Sequence, residues 1–306
     1  MSDKLMLLDT ASLYFRAFYG VPDKVKAPNG TSVNAVRGLL DIIAKLVKLY
    51  EPTHIVACWD DDWRPQWRVD LIPSYKAHRV VEVIATGPDV EEVPDPLEEQ
   101  LPVIREALAA LRIPIIGVTA HEADDVIGTL ATLATMPVDV VTGDRDLFQL
   151  VDDSRSIRII YTAKGMSNLE TVTDETVVKK YGVLPSQYAD FATLRGDASD
   201  GLPGVPGVGD KTAATLLQAH GDLAGIRAAA VAGEGMSAGV CGKIITASDY
   251  LDVAPTVVEV SKSLDVVPPT DAIRALDPTE VDAATALAES WNLGGSMDRA
   301  IAALAR

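Results

Sequence analysis

The chain reads as an α/β protein, a mostly parallel sheet flanked by helices and followed by a helical region. Three observations predict this. Short apolar runs alternate with helical patterns through the first 170 residues, which is the signature of βαβ units. Most of these runs stop at an Asp or pass directly into Gly-Asp, as strands ending on one rim of a sheet would. Beyond about residue 170 the pattern breaks into short helices separated by Gly and Pro.

The elements follow in order. Residues 4–8 form the first strand and stop at Asp9. A helical pattern over 33–49 leads to a second apolar run, 54–59, which stops at Asp60. A helix over about 96–111 precedes a third strand at 113–118. Glu122 opens the next helix, 122–135, with Asp124 and Asp125 on its first turn, where the helix dipole favours negative charge. Residues 138–142 run into Gly143-Asp144, and 158–161 make a fifth strand. In such sheets the functional crevice lies outside the carboxyl ends of the strands, so topology alone draws these carboxylates together. Residues 1–170 are expected to form the catalytic domain and 171–306 a helical region, with helices over 222–250 and an Ala-rich helical tail from about 277.

The chain has 306 residues, 48% of them hydrophobic, enough for one large domain or two smaller ones. No apolar run approaches the roughly 18 residues of a membrane helix, and the acidic N-terminus does not read as a signal peptide. Cys58 sits in an apolar run and is expected to be a buried, reduced thiol; Cys241 gives it no disulfide framework. A cytoplasmic, nucleoid-associated protein is expected. The net charge of −17 argues against a nucleic-acid partner unless cations gather at specific places.

Nine acidic residues fall at strand–helix junctions: Asp9, Asp60, Glu122, Asp124, Asp125, Asp144, Asp146, Asp197 and Asp200. A lone Asp at a strand end is more often a helix cap than a ligand. Caps, however, have no reason to cluster on one rim. So many carboxylates could not all stay ionised without a counter-charge, and for an all-oxygen set that is Mg²⁺ or Mn²⁺. Asp144 and Asp146 stand two apart, so one can bridge two ions while the other binds one. Two such ions about 4 Å apart hold both the attacking and the leaving oxygen of a phosphodiester.

Two further motifs point to DNA. Val205-Pro-Gly207-Val-Gly209-Asp-Lys211-Thr212 resembles the hairpin of helix–hairpin–helix modules. Its glycines admit a phosphate to the backbone, the following helix start offers free N–H groups, and Lys211 adds charge. Such a hairpin reads backbone rather than bases. Tyr75-Lys76-Ala-His-Arg79 sets two cations and an aromatic beside the carboxylates, where Lys76 and Arg79 can hold a scissile phosphate.

Taken together, Leu-Leu-Asp9, Trp59-Asp60, Tyr75-Lys-Ala-His-Arg79, Glu122-Ala-Asp-Asp125, Thr142-Gly-Asp-Arg-Asp146 and Gly196-Asp-Ala-Ser-Asp200 through Thr212 resemble the bacterial and phage flap endonuclease/5′-nuclease family, over roughly residues 4–265. That family includes the N-terminal 5′-nuclease domain of bacterial DNA polymerase I. The resemblance implies a PIN-like fold, a helical arch at about 73–100 and a helix–three-turn–helix at about 185–220. It implies metal-dependent cutting of 5′ flaps and 5′ ends of branched or duplex DNA, by a monomer working beside other replication or repair proteins. Asp9, Asp60, Glu122, Asp124 and Asp125 would serve a first metal, Asp144 would bridge, and Asp146, Asp197 and Asp200 would serve a second. Lys76 and Arg79 would contact the scissile phosphate, with Asp144 completing the catalytic set. Arg16 would lie near the 5′ phosphate; Tyr75, Gly207, Gly209, Lys211 and Thr212 would contact DNA; and K⁺ would bind carbonyls around 203–209. No polymerase domain follows, which implies a stand-alone nuclease.

The segment from Arg79 to Glu99 departs from the family pattern. It is longer than the usual arch, carries Glu82, Asp89, Glu91, Glu92, Asp95, Glu98 and Glu99, and contains no Lys or Arg after Arg79. Gly87-Pro88, Pro94 and Pro96 would break any long helix there, so a mobile, DNA-repelling segment is expected. Three other functions compete. A haloacid-dehalogenase-type phosphatase needs a second Asp where Ala11 stands; a non-catalytic DNA binder would have lost carboxylates; a PIN-domain RNase would lack the hairpin.

Overall fold

The computed structural model describes residues 3–84 and 89–305. Its strands are β1 (Leu5–Asp9), β2 (His54–Cys58), β3 (Val80–Glu82), β4 (Val90–Glu91), β5 (Ile115–Ile116), β6 (Val138–Thr142), β7 (Ile157–Tyr161) and β8 (Glu170–Val172). The helices of the first part are α1 (Thr10–Gly20), α2 (Asn34–Tyr50), α3 (Gln66–Leu71), α4 (Asp95–Glu98), α5 (Leu101–Ala110) and α6 (Ala123–Leu133). The second part holds α7 (Asp174–Tyr181), α8 (Tyr188–Arg195), α9 (Asp210–His220), α10 (Leu223–Ala232), α11 (Ala238–Thr246), α12 (Ser248–Val258), α13 (Pro278–Ser290) and α14 (Gly295–Leu304).

Six strands form one sheet in the order β5-β2-β1-β6-β7-β8, parallel throughout except for the last pair. β1, β2 and β6 are buried along their whole length, as central strands of a sheet covered on both faces must be. The side chains of β1 divide by the two-residue period of a strand. Met6 and Leu8 join the core built with α1, α2 and α5, while Leu5 and Leu7 join the core under α6 and the second helical region.

The tail does more than cap the fold. Leu293, just before α14, and Met297, Ala300 and Leu304 of α14 enter the same core as Met6 and Leu8, and Arg299 Nε donates to Asp41 Oδ1 of α2 at 2.8 Å. The last helices thus belong with the first layer, although the sequence places them after the helical region.

Several elements differ from the sequence pattern. The helix expected over 96–111 is two, α4 and α5, each with a proline in its first two positions, where the missing N–H costs nothing. The third strand is only two residues long, and β8 and α3 carried no sequence signal strong enough to find.

The largest difference is the arch. Among the described residues, 80–91 hold no helix but a two-stranded antiparallel ribbon of β3 and β4, with a shifted register between Val80 and Glu82. A run rich in valine favours a pleated ribbon over a helix. Nor does the acidic segment lack a base. Asp89 is buried and paired with the buried Arg64, and Trp63 Nε1 donates to its carbonyl at 2.7 Å. Gly87-Pro88 lies outside the described residues.

Candidate active site

The carboxylates come from strand ends and the helices that follow them. Asp9 ends β1 and caps α1, accepting from Ser12 N at 3.2 Å and from Thr142 Oγ1 at 2.6 Å. Asp60, two residues past β2, accepts from Ala123 N at 2.8 Å and so ties that strand end to the start of α6. Asp144 Oδ1 accepts from Asp146 N at 2.8 Å, and Asp144 N donates to Thr142 Oγ1 at 2.8 Å. One threonine hydroxyl therefore orients both Asp9 and the turn after β6.

Around these residues lies a cleft of about 420 Å³ lined by Asp9, Asp60, Glu122, Asp124, Asp144 and Asp197, with Trp63, Lys76, Arg79, Arg145 and Glu91 among the rest. Burial is the first cause of what happens to its carboxyls. Burial, with Asp60 and Asp144 adding repulsion against the Thr142 and Ser12 hydrogen bonds, pushes Asp9 up to about 7. Asp60 is pushed up to about 6 by burial and by Glu122 and Asp125, against the Ala123 hydrogen bond. Asp124 rises well above the usual range through burial, Asp9 and Asp144, and Asp146 through burial, Asp144, Asp200 and Asp197. Asp146 Oδ1 is in addition buried with no hydrogen-bond partner.

These are the marks of an all-oxygen donor set short of positive charge, and a hard divalent cation fits them. Among the described residues, however, no group of three or more His, Cys, Asp or Glu stands in a geometry that could hold an ion as it is. The physical reason is visible in the partners. Several expected ligands accept hydrogen bonds from donors of the protein itself.

Asp125 is fully buried and faces away from the cleft, bonded to Arg68 Nη2 at 2.8 Å, Ser261 N at 2.8 Å and Glu122 N. These bonds tie the long connection after α12 to α6. Glu122 reaches the cleft wall, but its oxygens accept from Arg68 Nη1 at 2.5 Å, Tyr75 OH at 2.8 Å and Lys76 Nζ at 2.6 Å. Asp197 accepts from Arg145 Nη2 at 2.8 Å, Arg195 Nη2 at 3.3 Å and Ser199 N at 2.9 Å. Burial raises its carboxyl, but the Ser199 and Arg145 hydrogen bonds outweigh burial and leave it lowered. Asp200 meets Arg79 Nη2 at 3.1 Å and is raised by burial, against Lys76 and Arg79. Glu91, raised by burial and then by Asp60, is drawn the other way by Arg79 and Lys76.

The expected DNA contacts divide similarly. Tyr75 is only 3% exposed, and its hydroxyl donates to Glu122 and buttresses the cleft wall. Lys76 and Arg79 do reach the cleft, where each now pairs with a carboxylate. Arg16 lies on α1 in a groove beside Ser12, Lys45 and Met166, and its Nε is buried without a partner.

Gly207 and Gly209 are exposed on the turn before α9, with Lys211 exposed and Thr212 half-buried on its first turn. Here glycine is required at two places. A Cβ on Gly204 (φ +65°) would stand 2.5 Å from Gly196 N, and one on Gly201 (φ +70°) 2.0 Å from Ser74 O. Ser74 Oγ donating to Gly201 O at 2.7 Å and Lys76 N donating to Asp200 O at 2.9 Å fasten the arch base to the hairpin.

Three groups escaped the sequence reading. Arg68 is 2% exposed and clamps Glu122 and Asp125, partners 54 and 57 residues away, which no local pattern signals. Lys243 of α11 sets its ammonium 3.0 Å from Gly207 O. Arg145, between the two aspartates of Gly143-Asp-Arg-Asp146, was legible but passed over.

This is a sheet rim bearing clustered carboxylates with cations at an arch base and a glycine hairpin alongside, the arrangement of a phosphodiester-cleaving nuclease. A family model described as the N-terminal resolvase-like domain of 5′-3′ exonucleases matches residues 4–182, and one described as their C-terminal SAM fold matches 183–281. The chain belongs to the 5′-3′ exonuclease family. It is 57% identical to a 5′-3′ exonuclease of Streptomyces coelicolor over 98% of this chain and 99% of that one, and 49% identical to a 5′-3′ exonuclease of Mycobacterium tuberculosis over 91% of each. It is 45% identical to DNA polymerase I of Mycobacterium bovis over 72% of this chain but 23% of the polymerase. The fold is that of the T5 5′-exonuclease solved with bound zinc (TM-score 0.66, 16% identity, 98% of both chains) and of the Rad2 catalytic core solved with DNA substrate (TM-score 0.59, 16% identity, 95% of this chain and 88% of that one). No helix among the described residues is long and apolar enough to cross a membrane.

Proposed function

We propose that the protein is a structure-specific DNA nuclease that cuts 5′ flaps and degrades 5′ ends of branched or duplex DNA, in replication and repair, as a cytoplasmic, nucleoid-associated monomer beside other repair proteins. The single observation that carries this reading is the buried, charge-starved carboxylate cleft flanked by Lys76 and Arg79 and joined through Gly201 to the glycine hairpin. Asp9, Asp60, Asp124, Asp144 and Asp146 would hold two or more Mg²⁺ or Mn²⁺ ions, with Glu122, Asp197 and Asp200 reaching them through water or after releasing their present partners. Bound there, the ions supply an activated water and stabilise the leaving oxygen.

The chain's own residues do the rest. Thr142 and Ser12 orient Asp9 and the 143–144 turn. Arg68 holds Glu122, and Glu122 in turn aims Lys76 into the cleft, so that Lys76 and Arg79 are set to neutralise a scissile phosphate. Lys211 and the free N–H groups at the start of α9 would grip the duplex backbone some way from the cut, giving affinity without base preference. K⁺ at the 203–209 carbonyls belongs to the same reading. Lys243 bears on it, because its ammonium already supplies positive charge at Gly207 O.

The test compares a 5′-flap DNA, the same strand as RNA and a plain duplex, with Mg²⁺, Mn²⁺ or EDTA. Metal-dependent cutting of the DNA flap, with little action on RNA, supports the reading. Equal cutting of RNA points to an RNase instead.

A further inference from the structure

The ribbon of β3 and β4 brings one carboxylate to the cleft. Glu91 lines the cleft together with Lys76 and Arg79. Two anchors fix it there. Asp89, two residues earlier, is buried on Arg64, whose Nε also donates to Tyr75 O at 2.6 Å and so holds the loop that carries Lys76. Glu92 N, one residue later, donates to Arg79 O at 2.8 Å. The ribbon is therefore fixed to Arg79 through that residue's own backbone and, by way of Arg64, to the backbone of Tyr75 just before Lys76. Lys76 and Arg79 have salt-bridge partners in Glu122 and Asp200, yet Glu91 remains the anion on the arch side of the same space.

Resting on the nuclease reading above, we propose that Glu91 is a specificity-determining residue: its carboxylate lines the same cleft as Lys76 and Arg79 and repels a substrate phosphate that enters to reach them. A loosely held single strand brings little binding energy against that repulsion. A duplex junction gripped by the hairpin at Lys211 brings much more. The locked carboxylate thus turns hairpin binding into a condition for entry and makes the cleft select branched DNA.

The test uses the full chain and labelled oligonucleotides in EDTA, so that binding is read without catalysis. Glu91→Gln keeps the shape and removes the charge. It is expected to bind a single strand about three- to tenfold more tightly than wild type at low salt, with less gain on a 5′ flap, and with the gain shrinking as salt rises. In a Lys76→Ala/Arg79→Ala background the same change is expected to give no gain, since no cation then draws a phosphate in past Glu91. Asp89→Asn, which frees the ribbon, is expected to give part of the Glu91→Gln effect.

Unchanged single-strand affinity in Glu91→Gln overturns the proposal, as does a full gain in the Lys76/Arg79 double variant, which would mark a general charge effect. So does a Glu91→Gln chain that binds as wild type but has lost metal-dependent cleavage, which would make Glu91 a metal ligand. Wild type is the control for the underlying reading. If it neither prefers nor cuts a flap, the nuclease assignment falls; if it does both and the variant gains nothing, only the Glu91 proposal falls.

Discussion

Asp60→Asn should make the metal-free protein more stable at neutral pH, and the size of the gain can be worked out from the structure. Asp60 is pushed from its ordinary 3.8 up to about 6, chiefly by burial and then by Glu122. A raised folded pKa on an acid means that the protonated form fits the fold and the charged form strains it. Below about pH 4 the group is protonated in both states and the substitution changes nothing. Between about pH 4 and 6 the wild type loses stability, and above 6 the loss levels off. Two pKa units correspond to about 3 kcal/mol. Asparagine keeps the Oδ1 that accepts from Ala123 N, so little is lost in exchange. It also removes a charge that raises Asp9, which adds to the gain. We therefore expect about 2–3 kcal/mol at pH 7.5 in EDTA by urea denaturation, or roughly 2 °C in Tm per kcal/mol for a chain of this size. At pH 4 the two proteins should coincide. Saturating Mg²⁺ or Mn²⁺ should stabilise the wild type more than the variant. An equal gain at pH 4 and 7.5, or no gain at 7.5, refutes the idea that buried charge destabilises the cleft in EDTA.

Other perturbations separate chemistry from binding. Asp146→Asn should abolish metal-dependent cleavage while leaving flap affinity in EDTA at or above wild type; full-rate cleavage at saturating Mg²⁺ removes Asp146 from the metal set. Lys211→Ala should weaken duplex binding and lower the slope of log affinity against log salt by about one, with single-turnover rate at saturating enzyme unchanged. Arg68→Met leaves Glu122 and Asp125 buried without their shared counter-charge, and should cost about 3–5 kcal/mol at neutral pH by urea denaturation. A loss under 1 kcal/mol would show that the clamp is not structural.

What the sequence revealed and what it hid divide along physical lines. Apolar runs ending in Asp marked β1, β2 and β6 because central parallel strands are apolar on both faces and end on one rim. The glycine turn was legible because only glycine fits at Gly201 and Gly204, and its spacing fixes the hairpin before α9. Hidden were features that depend on partners distant in the chain. Nothing local tells that Asp125 faces Arg68 and Ser261 rather than the cleft, since a carboxylate on a first helical turn can point either way. Tyr75 sits among cations in sequence, yet folding buries its ring. The acidic run after Arg79 looked unanchored because Arg64, the base that holds Asp89, comes before the run rather than within it. The same distance conceals how α14 returns to pack on α2.

The most direct test of the central claim is product mapping on a labelled 5′-flap duplex with purified protein. With Mg²⁺ or Mn²⁺ we expect cuts concentrated within a nucleotide or so of the single-strand/duplex junction, no product in EDTA, and only slow release from a plain single strand. Metal-independent cutting, or cuts scattered along the flap without regard to the junction, would contradict a carboxylate-bound metal centre fed by a duplex-gripping hairpin.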